Sequence, residues 1–196
     1  MAVEAGGHRW QPTAVVSAVP WFALADTIVG DTADLSLLAP VIDRARRMES
    51  SPIVTVNLWF DRQVIDEPFI GLPGRAMQWV FDKRAVFGDD ASHLSLVSSG
   101  ASPLVALPNG ELVARAHAEL VEALPAIRSA ALIRATVVRE PRATFSLAPG
   151  QPARPQTETP VTGLYLAGDW IETGLPATIE SAVRSGHRAA EMASGH

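Results

Sequence analysis

The stretch from Val161 to Ala190 constrains this chain more than any other, because it spells a short buried strand, a polar turn and a helix in direct succession. Gly163-Leu-Tyr-Leu-Ala167 is an apolar run of the length a core strand needs. Gly168-Asp169 closes it, Thr173-Gly174 is turn chemistry, and Pro176 suits a first helical turn, where its missing N–H would be unpaired anyway. From Ala177 small residues recur at helical spacing, at Ala182, Gly186, Ala189 or Ala190, and Ala193. A helix with such a face can lie close to neighbouring backbone. Its free N–H groups and positive dipole end would point back at the turn carrying Asp169, a geometry that suits an electron-rich ligand. The rest of the chain is then expected to bring a substrate to this turn.

Upstream, Thr13–Val19 reads as a buried strand stopped by Pro20, with Trp21, Phe22 and Leu24 following as an apolar turn or helix start. Residues 30–34 are loop-like. Leu35, Leu38, Ile42, Ala45 and Met48 then mark one face of an amphipathic helix, whose regular part is expected to begin only at Pro40. Ser50-Ser51-Pro52 breaks it. From Ile53 to Phe60 a wholly apolar set (Val54, Val56, Leu58, Phe60) alternates with a mixed one, as in a strand whose second face borders a cavity or solvent. Residues 61–76 are loop or hairpin. Met77–Phe81 and His93–Ser98 are further strands, joined by a charged turn from Asp82 to Asp90, and the short joins predict an antiparallel sheet. A helix follows Pro108-Asn109-Gly110 with Leu112, Ala116 and Leu120 buried, then a strand over Ala131–Glu140 and an extended, proline-rich crossing from Pro141 to Pro160. The fold class is therefore α+β or α/β, with residues 1–30 and 155–196 in one domain and residues 31–154 in another. The end domain has only about two strands and one helix, which is not a self-sufficient core.

A formal charge of −5 and the lack of any long Lys/Arg block argue against nucleic acid as a partner. With no cysteine there is no disulfide, thiolate metal site or Cys nucleophile. The start lacks the basic and apolar regions of a signal peptide, and the apolar run Ala14–Ala25 is shorter than the roughly 20 residues a bilayer span needs. The expected location is cytoplasmic, with any membrane contact peripheral to the inner face.

Gly163-Leu-Tyr-Leu-Ala-Gly-Asp169 followed by Pro176-Ala-Thr-Ile-Glu-Ser-Ala-Val-Arg-Ser-Gly186 resembles the C-terminal FAD motif of the amine-oxidase and carotenoid-desaturase superfamily. Four further runs, Ser51–Asp61, Met77–Lys83, Leu94–Ala101 and Glu140–Phe145, resemble its squalene-associated branch, the hydroxysqualene dehydroxylases. Many relatives have Gly where this chain has Ser181, which does not decide the branch. The resemblance implies a two-domain FAD-linked oxidoreductase of which this chain matches the C-terminal part. The ends would be part of a Rossmann-like FAD domain and the middle a substrate domain built on an antiparallel sheet. It also implies FAD contacts from Gly168, Asp169, Trp170, Pro176, Ala177, Thr178 and Ile179, with Asp169 beside the ribityl chain and the amides at Thr178 and Ile179 facing the ring. The Gly-x-Gly-x-x-Gly phosphate cradle of such enzymes does not occur here, which fits a truncated gene, a shortened sequence or a split gene whose partner is a separate N-terminal Rossmann half, and the chain alone is expected not to hold FAD stably.

The implied reaction replaces the hydroxyl of hydroxysqualene by hydride from reduced flavin, giving squalene on the route to hopanoids. Carotenoid (phytoene) desaturation, amine oxidation or a non-catalytic subunit role are the alternatives. An isoprenoid tunnel calls for aromatic lining, for which Trp21, Phe22, Trp59, Phe60, Trp79 and Phe81 are candidates against plain core packing. Of these Trp21, Trp59 and Trp79, with His93, are the expected substrate-lining residues. His8, His93, His117, His187 and His196 show no metal spacing, and no metal is expected. His187 is expected on the surface, Ser98 at a strand end, Asp61, Asp66 and Glu67 in a loop as minor proton-donor candidates, and Asp82-Lys83-Arg84 in a solvated turn. No motif identifies a catalytic residue.

Overall fold

A computed structural model describes residues 1–30, 32–88 and 92–195, so His196 and the tip of the charged turn expected at 82–90 lie outside the described residues. In chain order the elements are β1 (Val3–Ala5), β2 (His8–Trp10), β3 (Val15–Ser17), α1 (Trp21–Thr27), α2 (Thr32–Arg47), β4 (Ser50–Phe60), β5 (Phe69–Gly71), β6 (Trp79–Asp82), α3 (Arg84–Phe87), β7 (His93–Ser99), α4 (Ser102–Val105), α5 (Asn109–Ala123), a 3-10 turn (Pro125–Ser129), β8 (Leu132–Phe145), β9 (Leu164–Leu166) and α6 (Ile179–Ser194). They form two compact units, Met1–Glu49 with Thr144–His196, and Ser50–Ala143. One unit joins both ends of the chain, and residues 32–49 and 144–154 group with them, because α2 and Phe145 pack into that unit's own core. Among the described residues no helix is long and apolar enough to cross a membrane.

The middle unit is a five-stranded sheet in the order β5-β6-β7-β4-β8, with β5 through β4 antiparallel. The alternation along β4 does what its sequence requires: Val54, Val56, Leu58 and Phe60 are fully buried, with Leu94 and Leu96 of β7 and Val80 of β6 beside them. Leu112, Ala116 and Leu120 of α5 close this core. β8 runs further than expected, through Pro141. It is the edge strand of the sheet, where the missing proline N–H removes no bond from a central ladder.

In the end unit β3 and β9 pair in parallel, Val15 to Leu164, Val16 to Tyr165 and Ser17 to Leu166. Both strands are shorter than expected. Gly163 enters β9 with φ 79°, and a Cβ there would lie 2.8 Å from the Thr13 carbonyl oxygen, so no other residue fits without displacing the strand. The helix α2 starts at Thr32 instead of Pro40 and passes through the proline. Leu38, Ile42, Ala45 and Met48 are all buried, while Pro40 is exposed. Burying four such side chains outweighs the roughly 3 kcal/mol cost of an interior proline.

Candidate functional site

The turn after β9 is built from the backbone of Gly168 and two serines of α6. Gly168 has φ 141°, and a Cβ on it would stand 2.8 Å from the Trp170 indole. Its N–H donates to Ser185 Oγ at 2.8 Å, and the Ser185 hydroxyl returns toward the Gly168 carbonyl at 2.9 Å. Ser181 donates to the Asp169 carbonyl at 3.2 Å and pairs with Thr173 Oγ1 at 2.6 Å. The buried face of α6 is therefore Ser181, Ser185 and Ala189, not the Ala182–Gly186 line that its small residues predict. A Cβ on Gly186 would meet nothing within 4 Å. Hydroxyls that reach the turn decided the helix's rotation, because each satisfies a backbone group that would otherwise be buried without a partner.

Trp170 is wholly buried in a core with Trp21, Leu24, Phe145 and Ile171, and its Nε1–H donates to the Val19 carbonyl at 3.0 Å. Trp170 thus fastens the turn to the segment after β3. Pro176 and Ala177 do not start the helix. Thr178 is the N-cap, its hydroxyl accepting from the Ser181 N–H at 3.2 Å and its carbonyl from the Ala182 N–H at 3.1 Å. A side-chain cap at Thr178 satisfies a first-turn donor, which a proline there could not. The N–H groups of Ile179 and Glu180 remain at the helix end, and Ile179 is 86% exposed.

Burial raises the Asp169 carboxyl above its ordinary value, partly offset by hydrogen bonds from its own N–H and that of Trp170. Among the described residues it makes no ion pair. The nearby Glu172 behaves in the opposite way. The Gly174 N–H at 2.7 Å and the Arg154 guanidinium, bidentate at 2.8 and 3.1 Å, hold its carboxyl below the usual range despite some burial. Arg154 also donates to the Leu175 carbonyl at 2.7 Å, and Arg188 to that of Glu172 at 3.0 Å. No motif marked Arg154, Glu172, Ser181 or Ser185 as braces of this turn. The spacing Ser181–Ser185 within the helix was the available signal.

In the middle unit, register puts Trp59, His93 and Trp79 on one face of the sheet, opposite α5: Trp59 pairs with His93, and Trp79 with Val97, two residues along from Ser95. Trp59 stacks on His93 with ring centroids 4.1 Å apart, and the Arg134 guanidinium lies 4.7 Å from the Trp59 ring. Phe69, Trp79 and Phe81 continue the aromatic row at 6.2–6.4 Å, with Phe69 55% and Trp79 44% exposed. Of the other three aromatic candidates, Trp21 lies buried in the end unit against Phe145, Phe22 is 39% exposed and meets Trp21 edge-on at 5.1 Å, and Phe60 lies on the helix side of the sheet against His117.

The remaining candidates lie outside this aromatic row. Asp61 is pulled down to about 2 by hydrogen bonds from Arg62 and the Ala131 N–H, so it holds no proton near neutrality. Asp66 accepts from Gln63 at 2.6 Å, and Glu67 is exposed. Asp82-Lys83-Arg84 is not a solvated turn. The Asp82 and Arg84 side chains are only 8% and 19% exposed, joined at 2.7 Å, and Arg84 reaches the Ile65 carbonyl. Ser98 is buried and His187 exposed. Among the described residues no three His, Asp or Glu side chains are grouped to hold a metal.

The family profile described as flavin containing amine oxidoreductase matches residues 4–193. A protein named hydroxysqualene dehydroxylase from Sinorhizobium fredii is 36% identical over 92% of this chain, and one of the same name from Rhodopseudomonas palustris is 43% identical over 62%. The chain spans 38% and 27% of their lengths. Cyclohexylamine oxidase from Brevibacterium oxydans, a solved structure, superposes with a TM-score of 0.74 at 15% identity, over 99% of this chain and 45% of its own.

Proposed function

The chain belongs to the flavin containing amine oxidoreductase family, and on that premise we propose that it is the C-terminal portion of an FAD-dependent hydroxysqualene dehydroxylase, which gives squalene for hopanoid synthesis. The carrying observation is the turn after β9. The residues present fit one end of FAD: the Asp169 carboxylate has no ion-pair partner among the described residues, and the Ile179 and Glu180 amides are left over at an exposed helix end. A carboxylate in that state accepts hydroxyls such as those of a ribityl chain, and first-turn amides favour negative charge. Gly168 and Trp170 hold this turn in shape, and Pro176, Ala177 and Thr178 lead from it into the helix. The phosphate end of the cofactor is the task of an N-terminal half carrying Gly-x-Gly-x-x-Gly, the partner this reading requires.

When bound, reduced FAD supplies the hydride that replaces the substrate hydroxyl as water leaves. The chain's own part is to bind and orient the isoprenoid. Trp59, Trp79 and His93 share a face on which such a chain can lie, and the electron-rich ring faces favour positive charge developing at an allylic carbon. Trp21, buried in the end unit's core, is left out of this reading. A cytoplasmic enzyme touching the inner membrane face peripherally is the setting consistent with a water-insoluble substrate.

The test is to join the chain to its N-terminal half, measure flavin content and offer hydroxysqualene, phytoene and an amine. Conversion of hydroxysqualene to squalene is expected. Asp169→Ala should lose roughly tenfold more flavin on dialysis than Asp66→Ala, the loss of one charge-assisted hydrogen bond pair. Equal flavin content in the two variants would sink the placement of the cofactor.

A further inference from the structure

The aromatic face of the sheet carries a polar cluster toward its β8 edge. Asn57 of β4 pairs in register with Ser95 of β7, and the Ser95 hydroxyl donates to the Asn57 side-chain carbonyl. The Asn57 amide nitrogen donates in turn to Thr136 Oγ1 of β8 at 3.5 Å. Three adjacent strands thus contribute one residue each to a chain of hydrogen bonds lying across the face. Thr136 shares its face with Arg134, two residues before it, and Arg134 lies on the Trp59 ring, two residues beyond Asn57. The cluster is therefore bordered on one side by the Trp59–His93 stack and on another by Phe81, which pairs with Ser95.

The direction of these bonds matters. Ser95 spends its proton on Asn57, and Asn57 spends one of its two on Thr136. Thr136 accepts, so its own hydroxyl proton is left available to another acceptor, and Asn57 retains a second N–H. A polar group in an aromatic setting discriminates strongly, because a ligand lacking its counterpart leaves it dehydrated and without a partner.

We propose that Asn57, Ser95 and Thr136 form the hydroxyl-recognition point of the sheet face, with the Thr136 O–H donating to the oxygen of a long isoprenoid alcohol. The inference rests on the dehydroxylase reading for the identity of that alcohol. Its consequence is selectivity: the alcohol substrate is held with its C–O bond in a fixed place, and the hydrocarbon product, having no oxygen, gains nothing from the cluster and leaves. Thr136 determines specificity, and Asn57 and Ser95 are positioning residues that orient it.

The experiment is equilibrium binding of hydroxysqualene and squalene to the flavin-loaded enzyme, read by quenching of tryptophan fluorescence. Thr136→Val keeps the side-chain shape and removes the proton. It should weaken hydroxysqualene binding by about tenfold, the worth of one hydrogen bond to a dehydrated hydroxyl, and leave squalene binding unchanged. Thr136→Ser should restore the alcohol's affinity, and Asn57→Leu should reproduce the loss. Equal weakening of both ligands, or no change in either, would overturn the proposal. Because binding is read separately from turnover, a wild-type enzyme that fails to convert hydroxysqualene would defeat the dehydroxylase reading alone. Loss of alcohol affinity in Thr136→Val would still decide this one.

Discussion

At the turn after β9, the hydrogen bonds that shape the backbone from Gly168 to Ser185 are made mostly within one short run of chain. The aromatic face of the middle unit is assembled differently. Trp59, Trp79, His93 and Arg134 come from four strands and meet only through register. The first kind of site survives as a motif because its partners are neighbours in sequence. The second leaves only a pattern of alternation, and a shift of one residue in any strand would turn its aromatic to the opposite face.

Asp169 of the turn and Asp82 of the middle unit are held in opposite ways, and substitutions can expose this. The largest effect is expected from Gly168→Ala, which combines a backbone angle an L-residue rarely adopts with a methyl 2.8 Å from the Trp170 ring. Chemical denaturation should show a loss of about 3 kcal/mol, with hydrogen exchange accelerated first in β9 and α6. A variant as stable as the wild type would mean that the turn is not held as described.

Next is Asp82→Asn in the middle unit, expected to cost about 2 kcal/mol at neutral pH, because Arg84 is left largely buried with a weaker partner. Burial alone would raise the Asp82 carboxyl, but hydrogen bonds from the Arg84 guanidinium and N–H bring it below the ordinary value. A lowered folded-state pKa means its stabilisation is complete above the unfolded carboxylate value and is lost as pH falls through the lowered one. Denaturation midpoints taken across that acid range should fall for the wild type and vary less for the variant.

The smallest effect, and the one of opposite sign, belongs to Asp169. Burial raises its pKa, so the ionised form opposes folding, and its contribution worsens as pH rises from the unfolded carboxylate value to the raised one. Asp169→Asn should therefore stabilise the chain by on the order of half a kcal/mol at neutral pH, measured by thermal unfolding without flavin. A clear destabilisation would make Asp169 a structural residue like Asp82 and remove the contrast.

Much of this arrangement could be read from residues alone. The alternation in β4, the buried positions of α5 and the order strand, turn, helix at the C-terminal end follow from local periodicity, and so does the glycine that closes β9. Periodicity failed where a longer-range contact outweighed a local preference. Pro40 would normally start a helix, but a continuous buried face carries α2 across it. Small residues would normally mark the packed side of α6, but two serines that bond the turn rotate it. Asp82 and Arg84 look like a solvated pair, but their side chains are mostly buried and Arg84 donates to the Ile65 carbonyl.

Gly168-Asp169 and the helix after it were determined by sequence, because strand, turn and cap signals all lie within hydrogen-bonding reach along the chain. Which carboxylate is left without an ion pair and which is spent on a brace was decided only by the tertiary structure. Arg154 could have met either Asp169 or Glu172, and it is the folded chain that sets its fork against Glu172. The same holds for Asn57, Ser95 and Thr136. Each is an unremarkable polar residue in its own strand, and only the register of three strands makes them one group.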